Sequence, residues 1–113
     1  VMIDFWASWC GWCRIEHPTL IKAYNKYKEK GFTLLSVSLD DAKDKEKWIE
    51  AIKKHGLPWT QVSDLKGRDN EVAKMYGIKG IPQSVLVGPD GIIVAKNLRG
   101  DDLLMKLKEL FGE

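Results

Sequence analysis

Hydrophobic positions along the chain fall into two kinds of run. Short apolar stretches at residues 1–7, 32–39, 84–87 and 92–96, each bounded by polar, glycine or proline residues, predict strands. Between them the apolar residues take helical spacing. Leu20, Tyr24 and Tyr27, with Ile21 beside them and Lys22, Lys26, Lys28 and Lys30 on the other side, predict a helix that starts at Cys10-Gly11-Trp12-Cys13 and is ended by Gly31. Trp48, Ile49 and Ile52 share one face of a second amphipathic segment, 44–55, which Gly56-Leu57-Pro58 terminates before a short extended piece, 59–62. Residues 63–69 read as a loop. Val72, Ala73 and Tyr76 make a brief helical face within 70–76, and Gly77 and Gly80 bracket a turn into Ile81-Pro82. Gly88-Pro89-Asp90-Gly91 suits a tight turn, so the strands on either side of it form an antiparallel hairpin. A last helix, 101–111, carries Leu103, Leu104, Leu107, Leu110 and Phe111 on one face.

The predicted order is β, α, β, α, short β, α, β, β, α. Strand, helix and strand at the start give a parallel βαβ unit, and the hairpin adds antiparallel strands. The expected fold is therefore α/β, a mixed central sheet flanked by helices, with a helix-containing insertion at 44–64. A chain of 113 residues, 44% of them hydrophobic, supports one domain spanning 1–113 and one core. Eighteen basic against 16 acidic residues leave a net charge of +2, with the lysines mixed among acids on helix faces, which argues against a nucleic-acid partner. No apolar run approaches the roughly 18 residues of a membrane span. The chain starts at Val1 inside an apolar run and without methionine, as a domain cut from a longer parent does. Any attachment to a membrane is expected through an anchor upstream of these residues, and the domain itself is expected to be a monomer.

Two cysteines three positions apart cannot staple distant parts of the chain, and structural zinc would need both His17 and His55 as further ligands, His55 lying far off in a lysine-rich segment. No metal site is expected. At a helix start, the unpaired N–H groups and the helix dipole stabilise a thiolate. Cys10 occupies that start and Cys13 lies one turn deeper, so Cys10 is expected to be the exposed nucleophile and Cys13 the buried thiol that resolves its mixed disulfides. The redox-active pair itself serves in place of a cofactor.

Cys-x-x-Cys beside a βαβ unit is a thioredoxin-like redox motif. The surrounding residues extend the likeness: Asp4-Phe5-Trp6-Ala7-Ser8-Trp9-Cys10-Gly11-Trp12-Cys13 resembles the thioredoxin active-site signature, Pro18 sits at the family's helix-kinking proline, and Ile81-Pro82 resembles its cis-proline site. Glu16, Pro18, the insertion at 44–64 and Tyr76-Gly77-Ile78-Lys79-Gly80-Ile81-Pro82 resemble the TlpA/ResA-like branch, over nearly the whole chain. That resemblance implies an extracytoplasmic thiol-disulfide oxidoreductase, most often a reductase of specific protein disulfides recharged by an upstream thiol donor. Two positions depart from the family: Trp12 replaces the proline common between the cysteines, and Ser36 stands where cytoplasmic thioredoxins have a lysine.

The resemblance also implies roles. Asp4 matches the buried carboxylate that exchanges a proton with the resolving thiol, and desolvation should raise its pKa; the alternative is a solvated acid at the end of a strand or an ion pair. Glu16, three residues after Cys13, matches an active-site carboxylate, the alternative being an ordinary acid favoured by the helix dipole. Trp9, Gly11 and Trp12 would line the substrate mouth, Trp6 belongs in the core, and Trp48 and Trp59 serve packing. Ile81 would offer its backbone to an extended substrate strand, with Pro82 in cis shielding the thiols from metals; the alternative is a trans turn. His17 either tunes the thiolate or, as expected here, is an exposed helix residue without a role. Two other functions remain to be weighed. A peroxiredoxin-like thiol peroxidase shares the insertion but needs a Pro-x-x-x-Thr-x-x-Cys motif that this chain lacks, and a non-catalytic interaction domain has no need of both cysteines with Asp4 and Pro82.

Overall fold

In a computed structural model, which describes residues 1–112, five strands form one mixed sheet. They are β1 (Met2–Trp6), β2 (Leu34–Ser38), β3 (Thr60–Val62), β4 (Gln83–Val87) and β5 (Ile93–Lys96), in the order β3-β2-β1-β4-β5. The parallel pairs are β1 with β2 and β2 with β3, whereas β4 runs antiparallel to both β1 and β5. The helices are α1 (Gly11–Tyr27), α2 (Lys45–His55), α3 (Glu71–Met75) and α4 (Gly100–Phe111). The predicted order, the βαβ start and the hairpin are all present. Glu113, the last residue of the expected domain, lies outside the described residues.

Strand β1 is buried along its whole length, and its alternation divides the core. Ile3 and Phe5 join Val37, Leu39, Val85 and Ala73 of α3 on one face of the sheet. Met2 and Trp6 join Leu34, Leu86, the inner faces of α1 and α4, and Leu57 and Trp59 on the other. Asp4 shares the second face by period, so the same alternation that buries Met2 and Trp6 aims a carboxylate toward α1. Each fully buried large apolar side chain here contributes about 1.5–3 kcal/mol, which is what offsets the cost of holding an acid among them.

Helix α1 stops at Tyr27, four residues before the expected end. Lys28–Lys30 tighten into a 3-10 turn, and Gly31, at φ 101°, then turns the chain into β2. Asn70 caps α3 with its side-chain oxygen accepting from the Ala73 N–H at 2.9 Å. At the hairpin the Gly91 N–H donates to the Gly88 carbonyl at 3.0 Å, closing the expected turn.

Candidate active site

The short segment between β1 and α1 is held from below. Asp40, fully buried just past β2, accepts hydrogen bonds from the Ser8 N–H at 3.0 Å and from the hydroxyls of Ser8 and Ser38. This anchor fixes the chain two residues before Cys10. Asp40 stands at the carboxyl end of the run predicted as a strand over 32–39, and an acid at the carboxyl end of a buried parallel strand is the signal the sequence carries for it.

Cys10 is the N-cap of α1: its Sγ accepts from the Cys13 N–H at 3.2 Å and its carbonyl accepts from the Arg14 N–H at 3.3 Å. The two cysteines are joined in a disulfide with their Cα atoms 5.3 Å apart. The expectation of an exposed Cys10 is corrected here. In this oxidised form Cys10 is only 7% accessible and Cys13 2%. The capping geometry turns the Cys10 side chain back over the first helical turn, where it bonds to Cys13 and packs with the core. Exposure at the mouth belongs to the neighbours, with Trp9 at 49%, Trp12 at 73% and Gly11 also open.

Of the two residues, Cys10 is still the more accessible. On reduction, limited iodoacetamide labelling followed by peptide mass mapping is expected to find Cys10 modified well before Cys13. Equal labelling would remove the distinction between nucleophile and resolving thiol.

Asp4 is 6% accessible, and burial lifts its carboxyl from 3.8 to about 7. A hydrogen bond from the Ser36 hydroxyl at 3.1 Å opposes that rise, and the charge of Glu16 adds to it. Ser36 lies directly opposite Asp4 in the β1–β2 register and is itself oriented by the Trp59 indole N–H, which donates to its hydroxyl at 2.7 Å. Trp59 therefore does more than pack. With no lysine at this position, Asp4 has a neutral hydroxyl for a partner, and with its pKa at about 7 the carboxyl divides between protonated and ionised forms near neutral pH.

Glu16 is half-buried and lines one small recess with Asp4 and Pro82; one of its oxygens also accepts from the Gly100 N–H at 3.4 Å, at the start of α4. Glu16 thus lies near Asp4 and at the start of α4, and it is not, as the alternative reading has it, a first-turn acid of its own helix. The Ile81-Pro82 bond is cis. Arg99, unremarked in the sequence, donates to the Pro82 carbonyl at 2.7 Å and so ties that loop to the start of α4. Ile81 packs against the core cluster containing Cys10 and Cys13, and it shares a groove with Trp9.

His17 corrects a second expectation. It is 2% accessible, edge-on to Trp6 with ring centroids 5.0 Å apart and to His55 at 5.5 Å. Position i+4 from Cys13 places it on the inner face of α1, the face that the Leu20 and Tyr27 period marks as buried. Burial first, then the charges of His55 and Arg14, lower its pKa from 6.5 to about 4, so the ring is neutral at physiological pH.

A disulfide capping the helix that follows a central strand, with a buried aspartate in that strand and a cis-proline loop packed against the same core cluster, defines a thioredoxin-like redox domain. Residues 1–93 match the Thioredoxin-like family, and the chain belongs to it. Among solved structures, a thiol-disulfide oxidoreductase from Bacteroides fragilis NCTC 9343 superposes with a TM-score of 0.88 at 42% identity, covering 96% of this chain and 79% of that one. The thioredoxin domain of a thiol-disulfide oxidoreductase from Bacteroides vulgatus gives 0.87 at 44%, covering 97% and 77%. Thiol-disulfide oxidoreductase ResA of Bacillus thuringiensis subsp. konkukian is 30% identical over 109 residues, which are 96% of this chain and 60% of that protein. Thiol:disulfide interchange protein HelX of Rhodobacter capsulatus is 32% identical over 95 residues, 84% and 49% respectively. The chain thus spans about half to three-fifths of the length of these two relatives.

Proposed function

We propose that the domain is a thiol-disulfide oxidoreductase that reduces disulfides in other proteins. The observation that carries this reading is the Cys10–Cys13 disulfide at the N-terminus of α1, the helix packed on the sheet face that carries the buried carboxyl of Asp4. In the reduced protein, the Cys10 thiolate attacks one sulfur of a substrate disulfide, forming a mixed disulfide and expelling the other substrate sulfur as a thiolate. Asp4 takes the proton of Cys13, whose thiolate attacks Cys10 Sγ. That step closes the Cys10–Cys13 disulfide and expels the second substrate thiolate, so two electrons have passed to the substrate. A dithiol donor then returns two electrons by the same exchange. Trp9, Gly11, Trp12, Ile81 and Pro82 frame the sulfur, and Glu16 adds negative charge near Asp4.

The names of the relatives support thiol-disulfide chemistry, and the likeness to the TlpA/ResA branch supports work outside the cytoplasm, on protein thiols of that compartment. Among the described residues no helix is long and apolar enough to cross a membrane. Peroxidase chemistry has no motif to support it, and a purely structural domain leaves the buried carboxyl unexplained.

Dithiothreitol-driven reduction of a folded disulfide protein should be accelerated by the domain and not by a variant with both cysteines replaced by serine. Equal rates would reject the activity. Equilibration with redox buffers should place the pair nearer the roughly −270 mV of reducing thioredoxins than the roughly −120 mV of strong oxidants of this fold. A value at the oxidising end would reverse the direction of electron flow.

A further inference from the structure

Resting on the reductase reading above, we propose that Arg68 and Lys79 select substrate segments bearing carboxylates next to the target cysteine. A groove of about 390 Å³ opens at Trp9, the residue before Cys10, with Trp9, Leu39, Ile78 and Ile81 as its apolar lining and Arg68 and Lys79 as the charged residues among those that line it. Both cations are exposed, and among the described residues neither makes an ion pair or a side-chain hydrogen bond. Nearby, Lys47, Lys66 and Lys74 each lie within 4.0 Å of an acid, whereas Lys43 and Lys54, which line the adjoining cleft, make no ion pair among the described residues. Two unpaired cations over an apolar floor therefore wait for charge from outside.

Their placement is fixed by the backbone. Arg68 sits in the 3-10 turn Gly67–Asp69, where the Gly67 N–H donates to the Asp40 carbonyl at 3.2 Å, and Lys79 stands in the turn two residues before Ile81. They approach the groove from different segments of the chain, one beside the anchor of the Cys10 loop and one beside the cis-proline. An extended segment lying along Ile81 with its cysteine at Cys10 would carry its flanking side chains between them. Arg68 and Trp9 also line the adjoining larger cleft with Arg14 and Lys54. Of the acids there, Asp44 is engaged by Lys47 and Asp69 by Lys74, while Asp41 and Glu50 keep that cleft mixed in sign. The selectivity therefore belongs to the smaller groove.

Each exposed ion pair is worth roughly one- to fivefold in rate, and replacing glutamate by lysine in the substrate turns attraction into repulsion, so a spread of about tenfold is expected. The experiment uses three peptides that differ only in bearing glutamate, glutamine or lysine on both sides of one cysteine of an internal disulfide. Each rate with the reduced protein is divided by the rate with dithiothreitol, which removes the effect of the charges on the disulfide itself. The expected order is glutamate, then glutamine, then lysine, with the spread shrinking as salt is raised. Arg68→Glu combined with Lys79→Glu should reverse the order, and Lys79→Glu alone should reduce the preference.

Equal normalised rates for the three peptides, a spread insensitive to salt, or a glutamate preference surviving in the double variant would overturn the inference. The wild-type salt dependence decides the matter even if the double variant does not fold. A glutamine peptide reduced no faster than by the cysteine-free protein would bring down the reductase reading and this inference with it. A glutamine peptide reduced normally without any charge order would bring down this inference alone.

Discussion

Cys13→Ser is expected to stop exchange at the mixed disulfide and to leave Cys10 covalently joined to its substrates. Cys13 lies on the same helix one turn from Cys10, with the Cα atoms 5.3 Å apart, so its attack on a Cys10 mixed disulfide is intramolecular and needs no diffusional encounter. Serine keeps the size of the side chain and the capping bond to Cys10 Sγ, which the backbone N–H of residue 13 supplies. It lacks a nucleophile of comparable power. Release of the substrate then depends on external thiol, and turnover should fall on the order of a thousandfold, because millimolar thiol replaces a neighbour of far higher effective concentration. Non-reducing gels of the variant exposed to a disulfide-bonded protein should show a dithiothreitol-sensitive adduct, and mass spectrometry should place it at Cys10. If turnover persists, or the adduct maps elsewhere, the assignment of roles within the pair is wrong.

Much of this site can be read from the order of residues, for a definable reason. Strand β1, helix α1 and the hairpin follow from local periodicity, and Cys10, Cys13 and Pro82 from motifs whose chemistry is carried by a few adjacent residues. Asp4 was visible as an acid within an apolar run. Its hydroxyl partner was not, because the Ser36 contact depends on which residue lies opposite in the β1–β2 register, and the Trp59 donor depends on the insertion folding back over β2. Arg99 reaches Pro82 across 17 positions, and Asp40 reaches Ser8 across 32, so neither had a local signal. His17 is the instructive miss. A polar residue among charged ones reads as solvent-facing, yet its helical phase relative to Cys13, Leu20 and Tyr27 puts it inside, against Trp6 and beneath the end of α2. The exposure assigned to Cys10 failed for another reason: position at a helix start describes the reduced thiol's electrostatics, not where the sulfur lies once it is bonded to Cys13.

Asp4→Asn is expected to raise the stability of the oxidised protein, most of all above neutral pH. The carboxyl titrates near about 7 in the fold and near 3.8 when unfolded, so between those values the folded protein keeps a proton that the unfolded chain has released. This group's contribution is therefore most favourable below about pH 4, declines as pH rises, and above about 7 reaches its full penalty, on the order of 4 kcal/mol. His17 works in the opposite sense. Its pKa is lowered from 6.5 to about 4, so its contribution is complete above 6.5 and is lost as pH falls through 4. Between about pH 4 and 6.5 the two slopes oppose one another, and the wild type should show little net change in Tm. Asparagine carries no charge and retains an oxygen that can accept from the Ser36 hydroxyl, so the penalty disappears while the hydrogen bond survives. The variant's Tm should rise with pH through that window and should not decline through 7, exceeding the wild type by on the order of 10 °C near about pH 8. The same variant should reduce disulfides more slowly, since Cys13 loses the group that takes its proton, and the rise of kcat/KM with pH near about 7 should vanish. Thermal unfolding of the two oxidised proteins across this range reads the first effect directly. Parallel curves would mean that Asp4 titrates as an ordinary carboxylate, and the proton-transfer role would fall with its raised pKa.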